Sequence, residues 1–339
     1  MGRGWVLLVI PIAAACGAEA SGVPGGGGLV ASSGGGADGM NAMGSGASGQ
    51  GASVGGAGGM YNLPEGPPCE VDGTLGVCVD VAVCVGAFAP VPGYCAGPSQ
   101  IQCCVPIEAG TCNPNAMVVP DSTLTEAEGV GACPAGMVPV AAFCIDAYEA
   151  ALVNVSDGST WSPYFNPKSA SVRAVSVKGA VPQGYVDQVQ ADAACLAAGK
   201  RLCTDEEWLR ACRGPEKQVY PYGDALVLGR CNDHRDVHPA VEYFGTTDSW
   251  IYSEIDNACL NQLPNSLDLA GANADCVTPD GVFDLMGNLH EWTADPAGTF
   301  RGGFYVDTVI NGSGCLYATT AHDVSHWDYS TGFRCCLTP

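Results

Sequence analysis

The residues of this 339-residue chain whose types and spacing could do chemistry fall into three sets. In DLMGNLHE, Asp284 and Glu291 bracket Gly287 and Asn288 in a tight turn that exposes backbone carbonyls. Two carboxylates and several carbonyls are hard oxygen donors, which suit calcium. His234 and His238, spaced as HRDVH, would share a face if helical, and His290, His322 and His326 lie in or near neighbouring loops. Two imidazoles and a carboxylate make a non-haem iron site. Loop histidines are more often solvated, so no catalytic metal is expected from them. The third set is cysteine: nineteen residues, without the paired CxxC spacing of a structural zinc site. No Gly-x-Ser-x-Gly elbow, phosphate loop or dinucleotide-binding glycine pattern is present.

The elements that would position these groups are short. Val189, Ala193, Ala194 and Ala197 have helical spacing within 188–198, and Gly199 follows where a helix terminates. Thr204 and Glu207 form a capping box ahead of Trp208 and Leu209, predicting a helix over 204–212. Extended runs are expected at 137–148, 299–306 and 332–337. Two helices among short strands and long loops indicate α+β. Arg201, Glu291 and Arg334 stand beside Trp208, Trp292 and Phe333, where a charge persists only if paired, so a framework role is expected for all three.

Composition bounds the setting. With 13 basic and 35 acidic residues the formal charge is −22, which repels phosphates and excludes nucleic acid as a partner. Arg3, the apolar run Val6 to Ala15 and small residues before Cys16 read as a signal segment (1–15) with lipidation at Cys16. The run is too short to span a bilayer, so membrane contact is expected only through the lipid. The expected location is the cell envelope, on the outer membrane or cell surface, or otherwise secretion. An oxidising compartment suits nineteen cysteines, and acylation of Cys16 leaves eighteen for nine bridges. Residues 16–60 are a Gly/Ala/Ser linker that buries too little to order itself. Residues 61–106 are a small module stapled by six cysteines, 107–132 a polar connector, and 133–339 one domain with its own core.

The blocks GMVPVAAFCIDAYEA, GKRLCTDEEWLRACRG, YPYGD, VFDLMGNLHEWTAD, FRGGFYVD and GFRC occur in this order over 133–339. They resemble the formylglycine-generating enzyme, or sulfatase-modifying factor, family. The resemblance implies a compact, irregular variant of the C-type-lectin-like fold. It implies calcium held by the Asp284 side chain, the Gly287 and Leu289 carbonyls and Glu291, and a second calcium site beginning at Asn232 and Asp233. It also implies bridges Cys195–Cys335 and Cys212–Cys315; Cys133 and Cys144, flanking the first strand, are expected to form a local one. Partners for Cys112, Cys203, Cys231, Cys259, Cys276 and Cys336 stay open.

The family oxidises a sulfatase cysteine to an aldehyde with Cu(I) held by two cysteines. Those positions fall on Asp307 and near Gly312, and soft thiolate rather than carboxylate selects Cu(I). Copper is therefore not expected. Two readings follow: a calcium-stabilised surface module binding a protein, peptide or glycan, or an oxidoreductase with a displaced cysteine pair. The first would use the loops 233–255 and 307–327, with Trp250, Tyr252, Trp327 and Tyr329 either contacting a ligand or packing the loops.

Overall fold

Residues 53–54, 61–86, 88–107 and 111–339 are described by a computed structural model, and all belong to one compact unit spanning 50–339. The signal segment, Cys16 and the linker up to residue 52 lie outside them. No helix among the described residues is long and apolar enough to cross a membrane.

A two-residue pairing of β1 (Ser53–Val54) with β2 (Tyr61–Asn62) precedes the cysteine-rich module. The module is an antiparallel sheet of β3 (Pro68–Val71), β4 (Thr74–Asp80), β6 (Ile101–Pro106) and β5 (Phe88–Val91), in the spatial order β3-β4-β6-β5. Val77, Val79, Phe88 and Cys104 bury only a small core, which a module of this size cannot live on alone. Cys69–Cys103, Cys78–Cys95 and Cys84–Cys104 supply the rest, closing loops of 34, 17 and 20 residues. By loop entropy each adds about 3 kcal/mol. A Cβ at Gly76 would lie 2.6 Å from the Cys104 carbonyl, so only glycine lets β4 pair this closely with β6 there.

The larger part begins with a hairpin of β7 (Met137–Val140) and β8 (Phe143–Asp146), followed by the pair β9 (Ala150–Asn154) and β10 (Val172–Ser176). Next come α1 (Gln188–Ala197), β11 (Arg201–Leu202), α2 (Asp205–Arg213) and α3 (Pro239–Phe244). Then follow β12 (His290–Trp292), β13 (Phe300–Arg301), β14 (Ala318–Thr319), β15 (Thr331–Phe333) and β16 (Cys335–Leu337). One sheet has the order β11-β16-β8-β7, the other β14-β13-β12-β15, with β12 and β15 parallel.

Trp208 of α2 is the centre of one core with Ile145, Val140 and Leu285; Trp292, Phe333, Phe300 and Leu152 form the second. The expected capping box is present: Thr204 Oγ1 accepts from the Glu207 backbone N–H, and Glu207 Oε2 accepts from the Thr204 N–H. In α1 the buried face differs from the expected one. It consists of Ala191, Ala194 and Cys195, while Val189 is 60% exposed. The bridge from Cys195 to Cys335 rotates that face inward, a constraint that apolar spacing does not contain. The expected run 299–306 shrinks to two residues because Gly302 and Gly303 adopt φ of +84° and +70° and turn the chain. The run 332–337 splits at Arg334, where the chain leaves the second sheet for the first.

Candidate functional site

Arg334 is fully buried at that crossing. Its Nε and Nη2 donate to Glu291 Oε2 and Oε1, both at 2.6 Å, and Trp208 Nε1 donates to Oε2 at 2.7 Å. Nη1 and Nη2 also reach the carbonyls of Asp146 and Phe283. The paired framework role expected of Arg334 and Glu291 is thus built as a bidentate ion pair. Arg201 likewise holds Glu207 through two 2.6 Å bonds at the start of α2.

Around this pair lie two further buried acids. Glu149 accepts from Asn288 Nδ2 at 2.6 Å and from the Leu289 N–H at 3.1 Å. Asp284, at φ +59°, accepts from the Gly271 N–H through Oδ2 at 2.6 Å, leaving Oδ1 for another partner. Three buried carboxylates therefore face one guanidinium. Burial pushes Glu149 well above the usual carboxylate range, with Asp284 and Glu291 adding to it, and burial pushes Asp284 up to about 6. Such a cluster is stabilised by a proton or by a cation. In the sequence Glu149 carries no motif signal, standing between Tyr148 and Ala150.

The loop expected to start a second calcium site is clamped directly onto the first. Asn288 N–H donates to the Asn232 carbonyl at 2.8 Å, and Asn232 Nδ2 donates to Asn288 Oδ1 at 2.9 Å. A Cβ on Gly287 would stand 2.1 Å from that Asn232 carbonyl, which explains the glycine. Asp233 takes the Gly229 N–H on Oδ1, while Oδ2 is buried without a partner, and burial raises its pKa. For calcium, then, the donor set fits unevenly. At the first site Asp284 Oδ1 and the Gly287 and Leu289 carbonyls suit a hard cation, whereas both oxygens of Glu291 are spent on Arg334 and Trp208; at the second, Asp233 Oδ2 is the unpartnered oxygen. Among the described residues, the one group of three side chains close enough to share an ion is Cys69, Cys78 and Cys95, and these are disulfide-bonded.

At the expected catalytic positions, Asp307 Oδ1 and Oδ2 accept from the backbone N–H groups of Val309 and Ile310. Gly312, at φ +115°, has no room for a side chain, since a Cβ would lie 2.5 Å from the Leu316 carbonyl. Cys195–Cys335, Cys212–Cys315 and Cys133–Cys144 are bonded in the structure. The open cysteines pair as Cys112–Cys259, Cys203–Cys336 and Cys231–Cys276. Every one of the eighteen cysteines among the described residues is in a bridge.

The HRDVH segment is not helical. His234 is exposed beside Asp236, and His238 is the N-cap of α3. His238 Nδ1 accepts from the Ala240 N–H, so the ring proton sits on Nε2, 2.8 Å from the Tyr329 hydroxyl. Burial lowers its pKa to about 4, with Asp328 pulling upward and Arg235 downward. A depressed folded-state pKa means that its contribution is complete above the unfolded value of 6.5 and is lost as pH falls toward 4. By that shift, His238 removes up to about 3 kcal/mol across this window. The stability gap between wild type and His238→Asn, measured by urea unfolding at pH 7 and pH 4.5, should narrow at the lower pH; an unchanged gap contradicts the assignment.

His290, His322 and His326 meet around Phe300, with His322 and His326 stacked on each other. His322 and His326 lie 3.9 Å apart, Phe300 stacks on His322, and His290 fills a cup of Phe300, Phe304 and Tyr317. Burial pushes His290 down to about 3. Of the four aromatics in the long loops, Tyr329 is buried on His238 and Trp250 donates to Ser99 of the cysteine-rich module, while Tyr252 is 45% exposed.

Residues 98–338 match the family described as sulfatase-modifying factor enzyme 1-like domain. The chain belongs to that family. Its fold is the irregular C-type-lectin-like fold of formylglycine-generating type. Among curated relatives, inactive C-alpha-formylglycine-generating enzyme 2 of Mus musculus is 29% identical over 171 residues, covering 46% of this chain and 48% of the relative. The Bos taurus protein of the same name is 28% identical, covering 45% and 49%. The chain thus spans about half the length of these relatives. Among solved structures, PvdO from Pseudomonas aeruginosa aligns with 15% identity and a TM-score of 0.37, covering 58% of this chain and 80% of PvdO. The I1 variant of the Major Tropism Determinant aligns with 15% identity and a TM-score of 0.36, covering 62% and 54%.

Proposed function

We propose that this sulfatase-modifying-factor-like protein is a non-catalytic recognition or structural module, exported and held to the cell envelope by a lipid on Cys16. The observation that carries the reading is the use made of the copper positions. The Asp307 carboxylate is folded onto its own loop, Gly312 has no side chain, and no thiol is left among the described residues. Hard oxygen does not hold Cu(I). The word inactive in both relatives' names agrees with this. The partner is a protein, peptide or glycan met by exposed loops around Tyr252 and the half-buried Trp327, and not a nucleic acid, given the charge of −22. Incubation of the full chain with a cysteine-containing sulfatase-type peptide, copper and reductant should leave the peptide thiol intact. Conversion to the aldehyde, seen by mass spectrometry, would establish the oxidoreductase reading instead.

Calcium is the cation proposed for both loops, held at one by Asp284 with the Gly287 and Leu289 carbonyls and at the other by Asp233 with Asn232. When bound it would supply structural charge neutralisation and no reaction step. At saturating calcium the linkage contribution is about 3 kcal/mol, so chelation should lower Tm by about 5–10 °C. Asp233→Asn should remove the share of that difference supplied by its own loop. An identical Tm with and without chelator would sink the calcium reading while leaving the oxidase test untouched.

A further inference from the structure

A second buried ion cluster lies apart from Glu291. Lys200, in the turn between α1 and β11, places Nζ 2.7 Å from Asp146 Oδ1 and 2.9 Å from Glu126 Oε1. Side-chain exposures are 4% for Lys200, 0% for Asp146 and 17% for Glu126. The remaining bonds fix the acids in place. Asp146 Oδ2 accepts from the Cys335 N–H at 2.9 Å, and Glu126 Oε1 accepts from the Ser176 N–H at 3.0 Å. Gly136 closes the wall, since a Cβ there would come within 2.6 Å of Glu126 Oε1.

One ammonium between two carboxylates leaves a net negative charge in a site nearly closed to water, so one acid is driven to hold a proton. Burial raises the pKa of Asp146, with Lys200 and the Cys335 N–H pulling it back down, so this carboxyl is the readier of the two to take up the proton that condensation needs. Lys200 rests as the ammonium: burial lowers its pKa, but Asp146 and Glu126 outweigh that. A carboxylic acid, an amine in contact with it and a carboxylate touching the same nitrogen are the reactants and the proton acceptor of an amide condensation.

We propose that Lys200 and Asp146 join in an intramolecular isopeptide bond, with Glu126 as the proton relay. Glu126 takes a proton from the Lys200 ammonium, and the free Nζ attacks Cγ of protonated Asp146. In the tetrahedral adduct Glu126 returns its proton to the departing hydroxyl, the C–O bond breaks and water leaves. The nitrogen then gives up its extra proton to Glu126. The products are one amide, one water and a protonated Glu126; nothing is oxidised or reduced. Fixed contact replaces a bimolecular encounter, and a single maturation event needs only a small population of free amine. Condensation also exchanges buried charges for a neutral amide, ending their desolvation cost. The bond would fasten β8 to the start of β11, the strands that flank β16, whose Cys335 and Cys336 already hold α1 and the residue after β11. Unlike those bridges it resists reductants.

The test is a peptide map of the full chain after complete reduction, alkylation and tryptic digestion. The expected result is a branched peptide joining the Asp146 and Lys200 segments, lighter by one water than their sum, with no cleavage after Lys200. Lys200→Arg keeps the cation but lacks the nucleophile and should yield the two peptides separately. Glu126→Gln keeps the shape but not the base, and should slow linkage about a hundredfold. Quantitative recovery of unlinked Lys200 and Asp146 peptides from folded wild-type protein would overturn the proposal, whether or not the variants fold.

Discussion

Arg334→Leu should cost the folded protein about 4 kcal/mol or more, while Glu291→Gln should cost less than half as much. In the first variant Glu291, Glu149 and Asp284 lose the guanidinium that faces all three, and breaking a buried pair from one side leaves an uncompensated charge worth about 3–5 kcal/mol. Four donor contacts vanish with it, including those to the Asp146 and Phe283 carbonyls. In the second, Arg334 keeps Glu149 and Asp284 as charge partners, and the cluster sheds one of three like charges. Urea unfolding followed by the fluorescence of Trp208 and Trp292, which flank the pair, reads both variants. Equal losses, or a loss under about 1 kcal/mol for Arg334→Leu, would mean that the pair is not the keystone of the two cores.

Removing the Cys112–Cys259 bridge, with both residues changed to alanine, should lower stability by about 2–4 kcal/mol and open the connector to protease. The bridge closes a separation of 147 residues. A free loop of that length is worth about 5 kcal/mol, reduced here because other bridges already shorten it. It also governs docking of the cysteine-rich module. Gln102 Nε2 donates to the Phe244 carbonyl at 2.8 Å, Ser99 bonds Asp248 and receives Trp250 Nε1, and Pro92 packs where Gly245 has no Cβ. These contacts are polar and local, and the Gln102 side-chain Oε1 is buried without a partner, so the interface needs the covalent tie. Limited proteolysis near residues 107–117 should proceed many times faster in the variant. Unchanged protection would show that the noncovalent contacts suffice.

What was legible from residue order divides along physical lines. The α2 cap was readable because Thr204 and Glu207 act within one turn; that Arg334 and Glu291 are each paired was readable because a charge beside a buried aromatic needs a partner, but which partner was not. The inward face of α1 was not, because Ala191, Ala194 and Cys195 are chosen by a bridge to a residue 140 positions away. The same holds for the Tyr329 contact of His238, which depends on a loop meeting α3 from 91 residues on. Glu149 and Lys200 carry no sequence signal as partners of distant groups for that reason, and the shared face that HRDVH would have if helical does not form because Pro239 starts the helix just after it. Trp250 shows the limit of reading an aromatic in a long loop: its surroundings belong to another module.

The disulfide pattern also sets an order of assembly. A chain made from its amino terminus onward closes Cys69–Cys103, Cys78–Cys95, Cys84–Cys104 and Cys133–Cys144 early, since each spans at most 34 residues. Cys112, Cys195, Cys203 and Cys212 must then wait as thiols for partners 103 to 147 residues behind them. During that interval they are four competing nucleophiles on an incomplete core, and any bond among them is a wrong one. Oxidation of this chain therefore calls for thiol exchange that undoes premature pairs, and the native set cannot be completed before Cys335 and Cys336 have been made.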